Sequence, residues 1–136
     1  MKGAFYLSFD DAIVEKLCRA LGGVGEIWEG CRVRYAAPDA IQVQELGTDH
    51  LFSFDQYDDR PEYAKWYREP PHIPGPGVTL PDPTNILGYG IDCRWEDLFA
   101  RLCRAVTDIS GQPAWILDNS AIVWDARNVD PDRVHL

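Results

Sequence analysis

Apolar residues recur along this chain at two spacings, one of about 3.6 residues and one of two, and the order in which the spacings alternate predicts the fold. Ala4 to Phe9 reads as a first strand. Asp10 or Asp11 then caps a helix in which Ile13, Leu17 and Leu21 recur at every fourth position, with Ala20 widening the stripe. Gly22-Gly23 stops this helix, and Val24-Gly25 returns the chain toward a sheet. Three short strands follow, Glu26 to Trp28, Arg32 to Ala36 and Ile41 to Glu45, with Pro38-Asp39 turning between the last two. Ile41, Val43 and Glu45 alternate with Gln42 and Gln44, so one face is expected to be buried and the other wet. Leu51 to Phe54 makes a fourth strand. The connections are too short for helical crossovers, which predicts an antiparallel meander.

The pattern breaks between Asp55 and Asn85, a stretch that holds seven of the ten prolines. Within it Glu62 to Arg68 is expected to be a short helix, entered through Asp58 or Asp59 and Pro61. Beyond Pro70 the chain is expected to be neither helix nor central strand. An irregular connection of this length is either functional or disordered. Regularity returns with a strand at Gly88 to Cys93 and with the clearest helix, Trp95 to Ile109. There Trp95, Leu98, Phe99, Leu102, Cys103, Val106 and Ile109 keep the helical period until Gly111 and Pro113. Ala114 to Leu117 and Ala121 to Trp124, joined across Asp118-Asn119-Ser120, form a hairpin apolar enough to be buried on both faces. The expectation is one α+β domain over residues 1–136: a mainly antiparallel sheet with two helices packed on one face and a long proline-rich loop at 55–85.

Composition changes this picture little, since 46% hydrophobic and 26% charged residues fit a folded chain. Charge changes it more. The net charge of -9 repels phosphate backbones and anionic lipids, and no basic patch interrupts it, so neither nucleic acid nor membrane is expected as a partner. The acid serves either solubility or steering toward a basic surface on a protein partner. Met1 to Leu7 carries no signal-like apolar segment and the longest apolar runs are too short to span a bilayer, which predicts a cytoplasmic protein. Cys18, Cys31, Cys93 and Cys103 form no CxxC and are expected to be reduced core residues.

Local chemical motifs are missing where they would be sought. Gly22-Gly23-Val24-Gly25 follows a helix, whereas a phosphate cradle must precede one. The acidic residues around Asp49-His50 and Asp55 to Glu62 lack the glycine of a calcium loop. His50, His72 and His135 are scattered, and Ser8, Ser53, Ser110 and Ser120 lie in no GxSxG elbow. No catalytic, metal-binding or cofactor-binding residue is therefore expected, and no cofactor, although convergence of distant residues stays open. The segment from Tyr57 to Tyr67 is different, because it interleaves Tyr and Trp with charged residues of both signs, the side chains that dominate interface hot spots. Asp55, Asp58, Asp59, Glu62, Tyr63, Trp66 and Tyr67 are the expected partner-binding surface. The plainer alternative is that Trp66 and a tyrosine only pin the loop to the domain.

The ending, Ala114-Trp115-Ile116-Leu117-Asp118-Asn119-Ser120-Ala121-Ile122-Val123-Trp124-Asp125-Ala126 followed by Asp130-Pro131-Asp132-Arg133-Val134, resembles the tails of small bacterial immunity proteins of polymorphic toxin systems. The Ile27-Trp28-Glu29-Gly30 region and the β/α order are similar in character, while the rest of the chain is alike only in architecture. The resemblance implies a protein that neutralises a cognate toxin in the cytosol of the producing cell, by occluding its active site or locking its shape. It transfers no residue roles. Two other classes remain: a small ligand-binding domain or enzyme with a pocket under the proline-rich loop, and an adaptor or secretion chaperone.

Overall fold

The structure, a computed structural model, describes residues 3–136; Met1 and Lys2, the first two residues of the segment expected to carry no signal, lie outside the described residues. Among the described residues the chain forms nine strands and three helices. They are β1 (Gly3–Ser8), α1 (Ile13–Leu21), β2 (Ile27–Trp28), β3 (Cys31–Ala37), β4 (Ala40–Glu45), β5 (Leu51–Asp55), α2 (Pro61–Arg68), β6 (Ile73–Pro74), β7 (Leu87–Asp92), α3 (Glu96–Ser110), β8 (Ala114–Leu117) and β9 (Ile122–Asp125). All the strands join one sheet in the order β2-β3-β4-β5-β7-β1-β8-β9-β6, antiparallel throughout except where β6 runs parallel to β9. The class is α+β, and β2 to β5 form the expected meander. No described helix is long and apolar enough to cross a membrane.

Strand alternation divides the apolar residues between the two faces of this sheet. On one face Val33, Val43 and Phe52 lie in one row across the ladders, and Ile41, Phe54 and Ile91 in the next. With Tyr6 and Ile116 they bury the apolar stripes of α1 (Ile13, Val14, Leu17, Leu21) and α3 (Leu98, Phe99, Leu102, Cys103, Val106). Gly22, at φ 85°, closes α1, and the left-handed Gly111 closes α3 by donating its N–H to the Thr107 carbonyl at 2.9 Å. All four cysteines are free thiols, and burial pushes each above its ordinary pKa, Cys93 to about 11.

The opposite face departs from the expectation of two helices and a loop. The short helix expected at Glu62 to Arg68 forms as α2, but as a third packed helix instead of part of a loop: it sets Ala64 and Tyr67 against Leu7, Leu117, Val123 and Ile86 there, forming a second core cluster. The stretch from 55 to 85, expected to be irregular, is held at defined points. Tyr67 Oη donates to the Asp58 carbonyl at 2.5 Å and Arg68 Nε to the Ile86 carbonyl at 2.9 Å. The Ile73 and Gly75 amides donate to the Ala121 and Val123 carbonyls. Pro74, which has no N–H, sits between those two donors, so the strap pairs with the sheet edge without losing a ladder bond to proline. The terminal hairpin is buried on both faces as its apolarity predicts: Ile116 and Trp124 belong to the first cluster, Leu117 and Val123 to the second.

Candidate functional site

The seven residues expected to meet a partner do not form one surface. Tyr67 is only 1% exposed and belongs to the second core cluster. Its ring lies where a Cβ on Gly88 would be, 2.4 Å from the nearest ring carbon, so the glycine in β7 makes the room that lets α2 dock. The plainer alternative therefore holds for Tyr67 and fails for Trp66, which is 61% exposed on the outer side of the same helix. Tyr63 and Trp66, three residues apart on α2, meet edge to face at 5.6 Å, and the Arg60 guanidinium lies 4.5 Å from the Tyr63 ring centre. Arg60 also grips Asp58 through both carboxylate oxygens, holding that carboxyl below its usual range. Asp58 is thus neutralised, while Asp59 and Glu62 stay exposed on the same ridge with no ion-pair partner among the described residues.

Asp55 points elsewhere. Pairing of Phe5 and Asp55 with Gly90 puts these three residues side by side on the α2 face of the sheet. Beyond them the sheet surface opens into a cleft of about 510 Å³. Phe5 and Gly90 form its floor, and Asp55 and Asp92 stand along one side. Lys65, Trp66 and Glu69 at the end of α2, continued by Pro70, Pro71 and His72, make one wall. The hairpin turn from Leu117 to Ala121 makes the other. A Cβ on Gly90 would lie 3.6 Å from Asp55 Oδ2, so Asp55 leans over a floor that glycine keeps bare.

The electrostatics of the cleft are unbalanced. Asp55 sits in the concavity, and the desolvation this brings, with the like charges of Asp92 and Asp39, pushes its carboxyl above the ordinary carboxylate range. Neither Asp55 nor Asp92 makes a side-chain hydrogen bond or ion pair with a described residue, and Lys65 is the one lysine or arginine among the described residues lining the cleft. His72 Nε2 is buried in the wall without a hydrogen-bond partner among the described residues. Asp118, by contrast, is fully engaged. It accepts the amides of Ser120, Ile122 and His135 and the Trp124 indole N–H, which makes it the bracket of the turn.

Two further constellations converge from distant parts of the chain. Ser120 Oγ contacts His135 Nδ1, a hydroxyl–imidazole pair that no local motif announces. Asp118 meets His135 only through the backbone amide and does not orient its ring, and the Asn119 amide also bonds the His135 carbonyl, so the pair ties the C-terminal tail to the hairpin. Asp10, expected to cap α1, is instead a buried carboxylate taking the Ala12 amide, Lys16 Nζ and Ser110 Oγ at 3.0, 2.6 and 2.9 Å. Of the residues around Asp49-His50, His50 stacks on Trp95 at 3.6 Å. Among the described residues no three His, Cys, Asp or Glu side chains converge as metal ligands would.

No family model, curated protein or solved structure matches this chain, so the site rests on its own residues alone.

Proposed function

We propose that this chain is an immunity-type protein that binds a cognate bacterial toxin in the cytoplasm and neutralises it by direct contact with a basic surface. One observation carries the reading: an exposed aromatic and acidic ridge on α2 adjoins a cleft in which, among the described residues, Asp55, Asp92 and Glu69 face a single lysine, Lys65. Trp66 and Tyr63 supply large apolar area on few rotatable bonds, as interface anchors do. Asp59, Glu62 and the net charge of -9 supply the long-range attraction that orients a basic partner before contact. Tyr67, docked against Gly88, fixes the ridge to the sheet, so little conformational freedom is lost when a partner lands on it. The resemblance of the C-terminal segment to immunity proteins agrees with this mode of action.

The test is co-expression with the product of the neighbouring gene. The expected result is a complex that survives gel filtration and relief of that product's toxicity, both weakened in Trp66→Ala. Absence of a complex, together with a neighbouring product that is harmless alone, would overturn the reading.

The cleft itself favours a second reading, a small ligand-binding domain or enzyme, because about 510 Å³ lies within the range of small-molecule sites. Saturable binding of a small metabolite, unchanged in Trp66→Ala and with no protein partner, would select it.

A further inference from the structure

We infer that the cleft between α2 and the terminal hairpin receives the guanidinium of an arginine side chain projecting from the partner. The inference rests on the inhibitor reading and gives it a chemical point of entry. Three features of the cleft agree on this occupant. Asp55 and Asp92 stand on neighbouring strands along one side with no counter-ion among the described residues, and Glu69 adds a third carboxylate on the wall against the single Lys65. Like charges held together in a partly desolvated place cost stability, and an entering cation removes that cost.

The walls then distinguish between cations. Trp66 and the Pro70-Pro71 pair offer flat apolar surface beside the acids, on which a planar, weakly hydrated guanidinium stacks while its fork donates to a carboxylate. A lysine ammonium is a compact, strongly hydrated charge and draws less from such walls. The floor gives access: Gly90 presents no side chain where any other residue would put a Cβ under Asp55.

The cleft is testable without the toxin. The full chain, labelled with nitrogen-15, is titrated with N-acetyl-arginine methylamide, and with the matching lysine and citrulline amides. The expected result is saturable shifts at the Gly90 and Asp92 amides and the Trp66 indole with the arginine probe. The lysine probe should bind several-fold more weakly, and citrulline, which keeps the shape without the charge, should not bind. Asp92→Asn should weaken the arginine probe about tenfold, the loss of one charge-assisted contact. Trp66→Ala, on the surface, gives an independent second variant and should erase the preference for arginine over lysine. Shifts equal for arginine and citrulline, shifts confined to Asp59 and Glu62, or no saturable shift would each overturn the inference. A complex with the toxin that forms despite such a result would leave the inhibitor reading standing.

Discussion

Two aspartates show how burial and partners set opposite roles for one residue type. Asp10 is buried, and although burial alone would raise its pKa, donors from Lys16, Ala12 and Ser110 outweigh that and hold it below the ordinary carboxylate value. A depressed folded pKa contributes stability that is complete above the unfolded value of about 3.9 and is lost as pH falls through the folded one. Asp10→Asn is therefore expected to destabilise by about 1–3 kcal/mol at neutral pH and to flatten the acid limb of stability, measured by urea titration between pH 2 and pH 7. Asp55 has the reverse sign. Its raised pKa means that the folded state resists ionisation, so its cost is present at neutral pH and relieved in acid. Asp55→Asn is expected to raise neutral stability by roughly 0.5 kcal/mol, discounted for its exposure, while weakening partner binding. A variant that gains stability and keeps full binding would remove Asp55 from the interface. Sequence could not separate these two residues, because Asp10 looked like a helix cap and Asp55 like part of an acidic run; what distinguishes them is the company the fold gives each, the donors Lys16 and Ser110 for Asp10 and the like charges Asp92 and Asp39 for Asp55.

At the scale of elements, periodicity located α1, α3 and the longer strands well because these have one face against the first core, where Ile13, Leu17, Leu98 and Leu102 mark the stripe. The role of α2 was harder to read. Its eight residues bury only Ala64 and Tyr67, too short a stripe to show which aromatic faces inward. The informative signal sat 21 positions away in Gly88, whose missing side chain admits Tyr67. Gly88→Ala would put a Cβ 2.4 Å from that ring, so ring or helix must move. The expected outcome is a loss of about 1–3 kcal/mol and faster proteolysis between Asp58 and Gly75, with the α1 and α3 side of the sheet keeping its amide protection. Uniform loss of protection would mean that the two cores unfold as one. Ala121 was equally hidden. It adopts φ 63°, a left-handed conformation that favours glycine, because the Asp118 bracket dictates the turn.

The whole molecule joins these parts into a division of labour across the sheet. One face is closed by two helices and carries the larger core; the other is half-covered, by α2 and a proline-rich strap, and keeps the cleft and the aromatic ridge accessible. Net charge acts at this scale, since a field summed over the surface governs encounter before any side chain touches a partner. The two acidic residues on the ridge that no described ion pair neutralises are Asp59 and Glu62, whereas Asp58 is held by Arg60. Reversing Asp59 and Glu62 together to lysine is therefore expected to slow association with a basic partner by about tenfold at low salt and to reduce the dependence of the rate on ionic strength. Dissociation should change little, because long-range steering acts on encounter and the anchors Tyr63 and Trp66 remain. Stopped-flow association at several salt concentrations separates the two rates. Reversal of Asp58 alone frees Arg60 from its pair and leaves two lone cations, so it changes both local structure and field and is the poorer probe. Association that is unaffected by the double reversal would place the steering charge in the cleft, at Asp55 and Asp92, instead of on the ridge.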